Sequence, residues 1–113
     1  SQVMNIIGNV KGKNCLLVDD IIDSGGTIVN AAKALKEKGA KDVYVYVTHG
    51  VLSGNAVEQI NNSKIKKLIL TDTIDNSNKI KKSSKIVVLS ISNLMAEAIK
   101  RISNSTSVSD LFK

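Results

Sequence analysis

Four short apolar runs divide the chain: Cys15–Val18, Val43–Val47, Leu68–Leu70 and Ile86–Leu89. Each is partly β-branched and continuous rather than strictly alternating, the pattern of strands covered on both faces. Between and after the runs the period changes to that of a helix. From Thr27 to Lys38, residues Ile28, Ala31, Ala32 and Leu35 fall on one stripe, and Gly39 supplies a stop. Gly54 to Asn61 predicts a shorter helix carrying Val57 and Ile60. Asn93 to Ile102 predicts a third, with Leu94, Ala98, Ile99 and Ile102 aligned and Ser92 or Asn93 as its cap. Strands alternating with helices imply right-handed βαβ units on a parallel sheet, an α/β architecture. The tail, Ser103 to Lys113, is Ser/Thr-rich and predicted irregular, ending in the apolar pair Leu111–Phe112.

Doubly wound sheets commonly hold about five or six strands, and four are legible here. The segment Val3 to Val10 offers at most a fragment of another. The expectation is therefore a domain whose first strands lie upstream of Ser1. Proline is absent, so chain reversals rest on Gly, Asn, Asp and Ser.

Composition narrows the classes of partner. The net charge is +6, but the lysines are spread over helix surfaces and loops (Lys33, Lys36, Lys38, Lys64, Lys66, Lys67, Lys79, Lys81, Lys82, Lys85). With aromatics at only 3% there is no platform for stacked bases, so no nucleic acid is expected; a field that attracts small anions remains. No apolar run reaches the ~20 residues of a membrane helix, and no signal peptide is recognisable. The lone Cys15 sits in an apolar run and reads as a buried small hydrophobe. Without a disulfide framework, a reducing cytoplasm is the expected compartment.

The chemistry concentrates in CLLVDDIIDSGGT, Cys15 to Thr27. An apolar strand runs into Asp19 and Asp20, expected at its carboxyl edge, and Asp23-Ser24-Gly25-Gly26-Thr27 opens the helix. Free backbone N–H groups at a helix N-terminus, close approach over Gly25 and Gly26, and the hydroxyls of Ser24 and Thr27 make a cup for a monophosphate. No GxxxxGK[ST] loop occurs. Carboxylates beside an anion cup make sense if they address another part of one ligand. They accept hydrogen bonds from a sugar diol and suit Mg²⁺, which together describe a ribose 5-phosphate site. Two other readings stand beside this one: a plain capped turn, and a receiver-like acid pair with Asp72 as phosphoacceptor. His49, without a second His or Cys nearby, reads as structural.

Asp19-Asp20-Ile21-Ile22-Asp23-Ser24-Gly25-Gly26-Thr27 resembles the phosphoribosyl-diphosphate (PRPP) motif of type I phosphoribosyltransferases. With Ser1–Gly8, YVTHGVLSGNAVEQI from Tyr46, TDTI from Thr71, LSISNLMAEAIKRI from Leu89 and SVSDLF from Ser107, the whole chain resembles the ribose-phosphate pyrophosphokinase (PRPP synthetase) family. The resemblance implies a three-layer, Rossmann-like phosphoribosyltransferase fold, incomplete in residues 1–113, which would be a C-terminal domain with 103–113 as its tail. It implies transfer of diphosphate from ATP to ribose 5-phosphate, giving PRPP and AMP in nucleotide biosynthesis. Asp19, Asp20, Asp23, Ser24, Gly25, Gly26 and Thr27 would bind ribose 5-phosphate, with Asp19 and Asp20 also serving Mg²⁺. Ser107 and Phe112 would belong to an ADP/phosphate regulatory site between subunits of a homo-oligomer. The family's catalytic Lys and Arg loop and its ATP site would lie upstream of Ser1, leaving this chain inactive alone. A non-catalytic PRPP synthetase-associated protein or PRPP-binding regulator is the alternative. Departures are small: Ser24 stands where Thr is common, and Asn55 and Asp75 where proline is expected.

Overall fold

The computed structural model describes residues 5–113. Four strands form one parallel sheet in the order β1-β2-β3-β4: β1 (Cys15–Ile22), β2 (Val43–Gly50), β3 (Ile65–Thr71) and β4 (Ile86–Leu89). The helices α1 (Gly26–Glu37) and α2 (Ala56–Asn61) make the β1–β2 and β2–β3 crossovers, and α3 (Ser92–Ser103) follows β4. Short 3-10 turns occupy Ile80–Lys82 and Ser109–Phe112. Within the predicted fragment Val3–Val10, residues 5–10 form no strand; Val3 and Met4 lie outside the described residues, as does the first half of Ser1–Gly8.

The periodicity places the core well. Ile28, Ala31 and Ala32 of α1 are buried, and Ile28 and Ala32 share one core cluster with Val43, Val45 and Val47 of β2 and Leu68 and Leu70 of β3, these strand residues all fully buried. Burying one such side chain is worth roughly 1.5–3 kcal/mol, so this layer anchors the sheet.

Expected coverage on both faces is not met among the described residues. β2 shows buried and half-buried positions in alternation through Thr48, while Leu16 and Val18 of β1 are 59% and 72% exposed. The reason is topological. Right-handed crossovers between strands laid down in one direction put every connecting helix on the same face. A third layer requires strands on the far side of β1, so two layers are what this chain builds. The helix α3 repeats the point: its stripe exists, but Leu94, Met95, Ile99 and Ile102 stay exposed and no residue of α3 is buried. Neither Ser92 nor Asn93 caps it. Ser92 is its first residue, and the Ser92 N–H donates to the Ser90 hydroxyl at 3.2 Å. Cys15 is half-buried rather than buried, because it begins an edge strand.

Candidate functional site

The strand β1 runs four residues beyond the apolar run, so Asp19 and Asp20 lie inside it rather than after it. Asp19 pairs in register with Val47 and Ile21 with His49. The extension arises because β2 continues to Gly50: His49 and Gly50 pair with Ile21 and Ile22, β-favouring residues beyond the two acids, so the acids are held inside the strand. The strand ends at Ile22, and Asp23-Ser24-Gly25 turns the chain into α1.

Gly25 carries that turn. Its φ of 88° is left-handed, a conformation glycine adopts without steric cost. No side chain caps α1 and no acidic residue lies in its first turn. The first helical bond is from the Val29 N–H to the Gly25 carbonyl at 2.9 Å. The N–H groups of Gly26, Thr27 and Ile28 therefore have no backbone or side-chain acceptor among the described residues. A Cβ added at Gly26 would meet no atom within 4 Å. The exposed side chains of Asp23, Ser24 and Thr27 surround this opening. The result is a cleft of about 210 Å³ lined by Asp19 and by the whole run Ile21–Ile28.

The structure thus brings Asp19, Asp23, Ser24, Gly25, Gly26 and Thr27 to one cleft and leaves Asp20 off its wall. Successive strand residues face opposite sides of a sheet, so the adjacent acids do not converge as a pair; the Asp20 N–H donates to Asp19 Oδ1 at 2.8 Å. Among the described residues no three His, Cys, Asp or Glu side chains gather as a metal site. Asp72 is engaged elsewhere: its Oδ1 accepts the Ile91 N–H at 2.9 Å. That bond, helped by the Ser90 hydroxyl, holds its carboxyl below the ordinary 3.8. The receiver-like reading loses its acid cluster. His49 is exposed, with Nδ1 2.8 Å from Thr73 Oγ1.

A larger cavity of about 670 Å³ lies between α2 and residues 78–82, and none of the residues Asp19–Thr27 lines it. What no motif indicated is the support beneath the cleft. The Val51 and Leu52 N–H groups donate to the Ile22 carbonyl at 2.9 and 3.3 Å, and the Ser53 N–H donates to the Asp23 carbonyl at 3.1 Å. These are backbone bonds between segments distant in sequence, and residue type carries no signal for them.

The fold and site define a parallel α/β domain with an uncapped helix N-terminus at the carboxyl end of an edge strand, the end at which open α/β sheets receive ligands. The family described as phosphoribosyl synthetase-associated domain matches residues 2–113, and the chain belongs to that family. Over 112 residues it is 59% identical to the ribose-phosphate pyrophosphokinase of Hyphomonas neptunium and 60% identical to that of Clostridium tetani. Each alignment covers 99% of this chain but only 36% and 35% of those relatives. The crystal structure of phosphoribosylpyrophosphate synthetase from Mycobacterium smegmatis superposes with a TM-score of 0.82 at 41% identity, over 88% of this chain and 33% of that one. The family match shows membership; it does not show that residues 1–113 form a C-terminal part. No helix among the described residues is long and apolar enough to cross a membrane.

Proposed function

We propose that this chain supplies the ribose 5-phosphate-binding part of a ribose-phosphate pyrophosphokinase, the enzyme that moves the β,γ-diphosphoryl group of ATP to the 1-hydroxyl of ribose 5-phosphate. The observation that carries the reading is the cleft, with free N–H groups at Gly26, Thr27 and Ile28 and the Asp19 carboxylate on the same wall. The 5-phosphate sits on the helix N-terminus, where backbone donors and the helix dipole favour an anion. The Ser24 and Thr27 hydroxyls add donors. Asp19 accepts from the ribose hydroxyls, which fixes the sugar with its 1-hydroxyl directed out of the cup. Such positioning is most of what diphosphoryl transfer requires of an acceptor site.

Mg²⁺ fits the donor chemistry, since it is commonly held by one or two carboxylates together with substrate oxygens. Asp19 on the cleft wall suits it best and Asp20 stands next in chain. Bound there, the ion would neutralise phosphate charge. ATP would be held by chain outside these residues, in a homo-oligomeric cytoplasmic enzyme of nucleotide biosynthesis. Residues 103–113 are proposed as a regulatory tail responding to ADP or phosphate, with Ser107 and the 71% exposed Phe112 as its contacts.

The test measures ribose 5-phosphate binding and AMP release from ATP on the purified 113-residue chain. Binding without AMP release is the expected result. AMP release that disappears in Asp19→Ala would place the donor site within these residues and refute the division of labour. Failure to bind ribose 5-phosphate would remove the reading altogether.

A further inference from the structure

We propose that Lys79 is a positioning residue for the phosphate cup, acting through the strap Gly50–Ser53; the proposal rests on the ribose 5-phosphate reading of that cup. The strap lies between two segments. On one side its N–H groups at Val51, Leu52 and Ser53 hold the carbonyls of Ile22 and Asp23, which line the cleft. On the other, its carbonyls are held by the segment 76–79. The buried Asn76 donates Nδ2 to the Gly50 carbonyl at 2.7 Å. Lys79 Nζ donates to the Val51 and Leu52 carbonyls, both at 3.1 Å.

The strap needs that hold. Leu52 has a φ of 53°, a left-handed conformation that a bulky side chain adopts only where its surroundings over-determine it. Its side chain is 1% exposed within the core, which fixes one end of the residue. The peptide on either side is fixed by Ile22 below and Lys79 above. An ammonium has three donors and no acceptor, so one lysine satisfies both carbonyls and leaves them no reason to rotate outward. With Lys79 in place, the Val51 and Leu52 N–H groups stay aimed at Ile22, and the turn Asp23–Gly25 keeps the geometry in which Gly26, Thr27 and Ile28 present their N–H groups. Lys79 touches no ligand; it sets the floor of the cup.

The experiment compares the wild-type chain with Lys79→Met, Lys79→Arg and Lys82→Met. Methionine keeps an unbranched stem without donors, arginine restores donors, and Lys82 donates to no strap carbonyl. Calorimetric titration with ribose 5-phosphate should show Lys79→Met weaker by on the order of tenfold, as for other groups that orient a binding residue. Lys79→Arg should recover most of the loss and Lys82→Met should match wild type. Amide hydrogen exchange should be faster at Val51 and Leu52 in Lys79→Met, with displaced resonances at Gly25, Gly26 and Thr27. Unchanged affinity in Lys79→Met, or an equal loss in Lys82→Met that reports only surface charge, overturns the proposal. If wild type itself takes up no ribose 5-phosphate, the reading of the cup fails, and the exchange decides the strap: unchanged exchange at Val51 and Leu52 overturns it, faster exchange with displaced cup resonances supports it.

Discussion

Gly26 offers the sharpest separation of binding from folding in this chain. Alanine there places a methyl group where no heavy atom lies within 4 Å, at the first position of α1. The fold should gain, because alanine is favoured over glycine in helices by up to about 1 kcal/mol. The ligand should lose. A hydrogen bond to a charged group is worth about 1.5–3 kcal/mol, and the helix dipole adds about 0.3–1 kcal/mol for an anion. Displacing phosphate from one or two of the free N–H groups at Gly26, Thr27 and Ile28 therefore costs about 3 kcal/mol, roughly a hundredfold in affinity. Gly26→Val, with two further methyl groups, should abolish measurable binding. Calorimetric titration with ribose 5-phosphate reads the affinity, and thermal unfolding of the same samples reads the fold. Wild-type affinity in Gly26→Val would refute the assignment of the cup. A fall in melting temperature that parallels the loss of binding would refute the claim that the Cβ enters open space.

Other outcomes test the surroundings. Gly50→Ala places a Cβ 2.7 Å from Leu70 Cδ1 and 3.2 Å from Asn76 Nδ2; with Leu70 fully buried, overpacking should destabilise by about 1–3 kcal/mol, and an unchanged denaturation midpoint would contradict the packing. Asp72, held below 3.8 by the Ile91 N–H and the Ser90 hydroxyl, stabilises the folded chain above the unfolded carboxyl's titration, and that contribution fades as pH falls through the folded value. Asp72→Asn should accordingly lose less stability than wild type between about pH 5 and pH 3, and parallel acid titrations would exclude the interaction. Truncation after Asn104 in the longer enzyme should reduce inhibition by ADP more than turnover, and equal ADP sensitivity would count against a regulatory tail.

The α/β class was legible because its signal is local. Apolar runs at 15–18, 43–47, 68–70 and 86–89 and the stripe Ile28–Leu35 each place a strand or helix through a few neighbouring side chains. The turn and helix start at Asp23 to Thr27 were equally legible, since adjacent residues build them. Three features required the tertiary structure. The length of β1 depends on ladder partners from His49 and Gly50, so Asp19 and Asp20 were read as following the strand when they lie within it. The pairing of those acids depends on pleat direction, which puts Asp19 alone on the cleft wall. One open sheet face follows from strand order, and order is a property of the whole sheet; continuous apolar runs cannot report which of their faces this chain covers. The support under the cup is the extreme case. Lys79 reaches Leu52 across 27 residues through a backbone carbonyl, a group every residue carries, so only the folded chain shows that these two positions meet.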